Sequence, residues 1–127
     1  MEDVKRRILC VNGAHLLLVW NDRWLPLETA YPRVLDDLRA RGVVCAQVMM
    51  LQGGPGGENL RRLMRTTADF AAELHVETLF LLVNPERIKL WMALRFKSTG
   101  WGVREWDFAN YAPVAPLEFD ISSWIPF

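Results

Sequence analysis

The chain has 127 residues, an ordinary single-domain length, and its make-up of 51% hydrophobic and 24% charged residues excludes a disordered chain. Lysine plus arginine and aspartate plus glutamate both number 15, so no net field draws it to nucleic acid or to an anionic membrane. Local basic clusters, Lys5-Arg6-Arg7 and Arg61, Arg62 and Arg65, read as solvated faces. Cys10 and Cys45 are too few for a disulfide framework and both lie in apolar runs, so they read as buried reduced thiols suited to the cytoplasm. The charged stretch Met1 to Arg7 does not read as a signal peptide. No window reaches the roughly 18 apolar residues that a membrane span needs.

In chain order, Ile8 to Val11 and Ala14 to Trp20 are β-leaning runs around Asn12-Gly13, the strongest short hairpin signal because both residues tolerate positive φ. From Glu28 to Arg41, Tyr31, Val34, Leu35 and Leu38 recur at helical spacing, and Gly42 suits the left-handed position that closes a helix. Val43 to Leu51 is a nearly unbroken apolar run and reads as a central strand covered on both faces. A helix is predicted from Glu58 to Leu74, with Leu60, Leu63, Met64, Phe70, Ala71 and Leu74 forming one buried stripe. Thr78 to Val83 is a second buried strand. Pro85 then opens a short helix carrying Ile88, Trp91, Met92 and Leu94. Phe96 to Phe108 and Val114 to Ile121 read as two closing strands. The order is a β-hairpin, a βαβαβ core and closing C-terminal strands, which makes residues 1–127 a single α/β domain with a mixed sheet.

Two stretches carry candidate chemistry. Between the central strand and the long helix stand Gln52-Gly53-Gly54-Pro55-Gly56-Gly57. Glycines let a backbone approach a ligand closely, and the free N–H groups of the following helix turn add partial positive charge, so the junction suits a phosphate. It is neither the Walker pattern nor the dinucleotide fingerprint, and a plain flexible connection is the competing reading. The second stretch is Val83-Asn84-Pro85, where Asn84 ends a buried strand. It is placed to reach a ligand at the strand C-termini or, equally, to cap the short helix. No Cys/His spacing suggests a metal. His15 lies in an apolar strand and His75 at a helix end. Glu118 and Asp120 read as solvated, while Trp101 and Trp106 are pocket or interface candidates.

Strand, glycine-rich loop, long helix, strand, Asn-Pro, short helix and closing strands together resemble the second half of the GNAT acyltransferase fold. The branch most resembled is that of long-chain N-acyl amino acid synthases. Leu25 to Gly42, Val83 to Phe96 and Val114 to Asp120 carry the likeness. It implies a site for coenzyme A or acyl-CoA, with Gln52, Gly53, Gly54, Gly56, Gly57, Asn59 and Asn84 as binding candidates. It also implies catalytic positions on the central strand and the short helix, which here hold Gln47 and Trp91. The family has Glu and Tyr at those positions, and a carboxamide or an indole cannot act as base or acid near neutral pH. Arg87 and Arg95 replace the family's His and Gly. The family's strand and helices preceding the hairpin, which help wall the acceptor pocket, are not matched here. The implied activity is acyl transfer from a pantetheine thioester, on coenzyme A or an acyl-carrier protein, to an amine. The alternatives are an inactive acyl-CoA-binding module and a dimeric interaction module. A homodimer is expected from an uncovered sheet edge and from the apolar tail Trp124 to Phe127.

Overall fold

The Asn12-Gly13 pair reverses the chain as its sequence predicts, with φ of 48° and 87° at its two residues, between strands β1 (Lys5–Val11) and β2 (Ala14–Trp20). The structure is a computed structural model that describes residues 5–21, 23–52 and 57–123. In chain order there follow a 3-10 turn at Pro26–Thr29, α1 (Asp36–Ala40), β3 (Cys45–Gln52), α2 (Gly57–Glu73), β4 (Thr78–Val83), α3 (Ile88–Ala93), β5 (Lys97–Ser98), β6 (Arg104–Trp106) and β7 (Ala112–Asp120). The strands form one mixed sheet in the order β1-β2-β3-β4-β7-β5, with β6 also pairing β7. Only β3 and β4 run parallel, joined by the α2 crossover; the other pairs are antiparallel.

Two apolar layers sandwich the sheet. On one face α2 buries Leu60, Leu63, Met64, Ala68 and Ala71 against Leu16, Leu18, Ala46, Val48, Leu79 and Leu81. On the other, the segment between β2 and β3 buries Leu25, Leu27, Tyr31, Val34 and Leu35 against Val19, Cys45, Phe80, Trp106 and Val114. That double cover is why β3 reads as unbroken apolar sequence, with Cys45 to Val48 all buried.

Three expectations are corrected. The periodic stretch from Glu28 to Arg41 is not one helix: the 3-10 turn ends at Thr29, and α-helix begins only at Asp36. Pro32 is the cause, since it lacks an N–H and biases Tyr31 away from helical φ/ψ. Tyr31, Val34 and Leu35 are still buried and Leu38 half-buried, and Gly42 closes α1 at φ 77°, donating to the Arg39 carbonyl while Val43 donates to that of Leu38. Phe96 to Phe108 is likewise not one strand. Gly100 and Gly102 take φ of 82° and 76° and split it into β5 and β6. Finally, Cys10 is exposed, because β1 is the sheet's outer strand and only Leu9 within it is fully covered.

Tight polar links pin the segment before α1 to the β5–β7 region. Tyr31 donates through its hydroxyl toward the carbonyls of Gly102 (2.6 Å) and Val114 (3.0 Å), and the Arg104 guanidinium lies over its ring at 4.8 Å. Thr29 Oγ1 bonds Asp107 at 2.8 Å and accepts from the Trp106 indole at 3.0 Å, which makes Trp106 a buried strut. Glu28 accepts the Leu25 N–H and pairs with Arg39: Nη1 donates to Oε2 at 2.8 Å. Arg39 Nη2 stands 2.7 Å from Oε1 without hydrogen-bond alignment, so that contact is Coulombic only.

Candidate functional site

The parallel ladder between β3 and β4 is short. It pairs Cys45 with Thr78 and ends at Val48 with Leu81, while β3 runs on to Gln52 and β4 to Val83. Beyond Val48 the ladder between the two strands ends, leaving a slot, the unpaired interval between Met49–Gln52 of β3 and Leu82–Val83 of β4. A β-bulge bends β3 at that point: His15 pairs with Gln52 and Leu17 with Met49, so β3 carries an extra residue opposite Leu16. Met50 absorbs the bulge at φ 51°, a left-handed conformation unusual for a long side chain, and is 74% exposed. The bulge also reverses the alternation, so that Leu51 packs against the α2 layer while Met49 joins the opposite one. Nothing in Met49-Met50-Leu51 announces this, because a bulge depends on the partner strand's register and the run itself is uniformly apolar.

The slot lies at the carboxyl ends of the parallel strands, where ligands of α/β sheets bind. Gln52 ends β3 exposed at its rim, and α2 starts at Gly57. Gly53, Gly54 and Gly56 lie outside the described residues. Asn59, in the first turn of α2, is engaged with the hairpin tip: it accepts from the Asn12 side chain at 3.4 Å and donates to the Asn12 carbonyl at 3.5 Å. Asn84 follows β4, is exposed, and accepts the Glu86 N–H at 2.9 Å, so its oxygen caps the turn Pro85–Arg87 that leads into α3. Gln52, Gly57, Asn59 and Asn84 therefore share one end of the sheet.

Gln47 and Trp91 stand on opposite faces. Gln47 is fully buried on the side of the segment before α1; its Oε1 accepts the Leu27 N–H at 2.8 Å, and its Nε2 has no partner among the described residues. Trp91 is buried in the α2-side layer, edge-on to Phe96 at 5.5 Å. Cys45 lies two residues before Gln47 on the same face, where burial pushes its thiol up to about 11, partly offset by Arg39. Burial also raises the Tyr31 hydroxyl, opposed by the nearby Arg104 charge. Both groups are kept protonated by desolvation.

A separate groove of about 640 Å³, lined by Leu38, Arg41, Val43, His75, Glu77 and Asp120 among others, opens at the other end of the parallel strands. It is removed from the slot. Among the described residues no group of three or more His, Cys, Asp or Glu is placed to hold a metal, and no helix is long and apolar enough to cross a membrane.

The chain as a whole has a counterpart in shape among solved structures. FeeM, an N-acyl amino acid synthase from uncultured soil microbes, matches over 91% of this chain and 72% of its own, with a TM-score of 0.77 and 20% sequence identity. The fold is GNAT-like. No protein-family model matches the sequence, and neither does any curated protein. The assignment is one of fold and rests on shape, since 20% identity leaves most side chains different.

Proposed function

We propose that this chain is an N-acyltransferase that moves an acyl group from a pantetheine thioester, carried by coenzyme A or an acyl-carrier protein, to an amine. The observation that supports this most is the slot itself. The β3 edge from Met49 to Gln52 faces it without a β4 ladder partner, beside the start of a 17-residue helix. A pantetheine arm has amide groups at strand-like spacing and can pair with such an edge. The glycine-rich loop and the first turn of α2 would take the donor's phosphates, and the capped Asn84 would border the arm from β4. The amine nitrogen attacks the thioester carbonyl, the carbon–sulfur bond breaks, and the thiolate leaves while the nitrogen gives up a proton to solvent. Gln47 has no titratable proton to exchange and its oxygen is committed to Leu27, so the step relies on positioning and proceeds slowly.

The burial of Gln47 and Trp91 favours a second reading, in which the slot binds an acyl-CoA without turning it over. In either reading the protein is taken to be cytoplasmic and a homodimer, associating through the exposed face and edge of β1. Calorimetry with a long-chain acyl-CoA, followed by single-turnover assay with amino acid acceptors, tests the proposal. Saturable binding weakened by bulky residues at Gly54 and Gly56, with N-acyl product, supports acyl transfer. Binding without product leaves the second reading, and absence of binding to either donor form overturns both.

A further inference from the structure

The hairpin register creates a juxtaposition that residue spacing hides. Cys10 and His15 are direct partners across β1 and β2. The pair next to the turn, Val11 with Ala14, closes a two-residue loop and is the hydrogen-bonded type. The next pair is therefore non-hydrogen-bonded, the type in which opposing side chains stand closest, with Cα atoms about 4.5 Å apart. Leu9, Val11, Ala14 and Leu16 turn toward α2, so Cys10 and His15 both point to the other face. The segment before α1 does not cover that face here: Cys10 is exposed and His15 half-buried. Among the described residues neither side chain has a hydrogen-bond or ion-pair partner, and Cys10 forms no disulfide.

A thiol and an imidazole held this close on a two-residue hairpin are two groups of the kind that bind thiophilic cations, which take four donors in a tetrahedron. One chain supplies half the set. The neighbouring row on the same face is apolar, with Ile8, 66% exposed, opposite the half-buried Leu17. The nearest cation on that face of β1, Arg6, lies a further row away, opposite Val19. A two-fold axis over this hairpin face would bring two Cys10–His15 pairs together and bury two Ile8 side chains around them.

We propose that Cys10 and His15 form half of a tetrahedral site for a thiophilic divalent cation of the zinc class, completed by the same pair of a second copy of the chain. The site rests on the homodimer reading but not on acyl transfer. It uses neither Gln47 nor Asn84, and it adjoins the slot only through His15, the β2 partner of Gln52 at the slot's rim. Each thiol gives up its proton on binding, so the two-chain site releases two protons and binds metal as thiolate.

Cobalt(II) titration of chelator-treated protein, with light scattering in parallel, tests it. The expected result is a thiolate-to-cobalt charge-transfer band saturating at one metal per two chains. Zinc displaces the cobalt, and mass rises from 14.7 kDa to twice that value as metal is added. Cys10→Ser and His15→Ala, both in exposed or half-buried positions that leave the core intact, should each lose the band and the metal-driven mass change. A band that saturates at one metal per chain, survives Cys10→Ser, or is absent overturns the site. A dimer that persists in chelator with no band separates the two ideas, since association then stands and the metal site falls.

Discussion

Gln47→Glu places a carboxyl group at a fully buried position where one N–H, that of Leu27, donates to it. The shape is unchanged and the Leu27 N–H keeps its acceptor, so the neutral acid should fit almost as well as the carboxamide. The ionised form is different. A fully buried carboxylate with a single N–H to stabilise it has its pKa raised by desolvation, by as much as 3–5 units at the extreme. An acid whose folded pKa lies above its unfolded value, about 4.3 for Glu, contributes fully below that unfolded value, and the contribution is lost as pH climbs toward the folded one. If the folded pKa reaches 7 or more, the loss by pH 7 spans about 2.7 units at about 1.36 kcal/mol each, or about 3.7 kcal/mol. Urea denaturation of the variant and the parent at pH 4.5, 5.5 and 7 measures the difference directly, and titrations common to both cancel. The variant should be within about 1 kcal/mol of the parent at pH 4.5 and fall behind progressively. A penalty that is constant across that range, or none at pH 7, would show that water or a cation reaches position 47 and would refute the account of a sealed carboxamide. The same result bears on catalysis, because only the ionised carboxylate can take a proton from an amine. Any gain in turnover should therefore appear only at the pH where the stability penalty has developed.

Three further outcomes are expected. Tyr31→Phe strips the donor from the Gly102 and Val114 carbonyls and should cost about 1–3 kcal/mol in chemical denaturation, since both acceptors stay in the structure. Asn84→Ala should remove the cap before α3, lowering stability by about 1 kcal/mol; if acyl-CoA affinity falls as well, the side chain does more than cap. Cys45, protonated in the fold and raised to about 11, should make the protein lose stability as pH rises from its ordinary 9.0 toward 11; Cys45→Ala, otherwise less stable, should show a flatter alkaline profile, and an unchanged slope would count against the assignment.

Wherever conformation follows from local chemistry, the sequence alone determined it. Asn12-Gly13 dictates its own turn because few other pairs accept two positive φ values, and β4 is found at Thr78–Val83 as its apolar run predicts. The α2 stripe and the Gly42 stop are legible for the same reason, since each depends on residues within a turn or two of one another. The broken helix before Asp36 was legible in principle, through Pro32. What only the tertiary structure decided are relations between segments distant in the chain. Gln47 is the one polar residue in a run that reads as covered on both faces, and only the fold shows that Leu27, 20 positions away, takes up its oxygen. Met50 looks like core until the β2 register forces a bulge and turns it to solvent. The slot exists because the β3–β4 ladder stops at Val48 and Leu81, and Cys10 meets His15 because a turn folds one strand onto the next. Pairing register and the layer that covers each face are set by the whole sheet's packing, which no local pattern encodes.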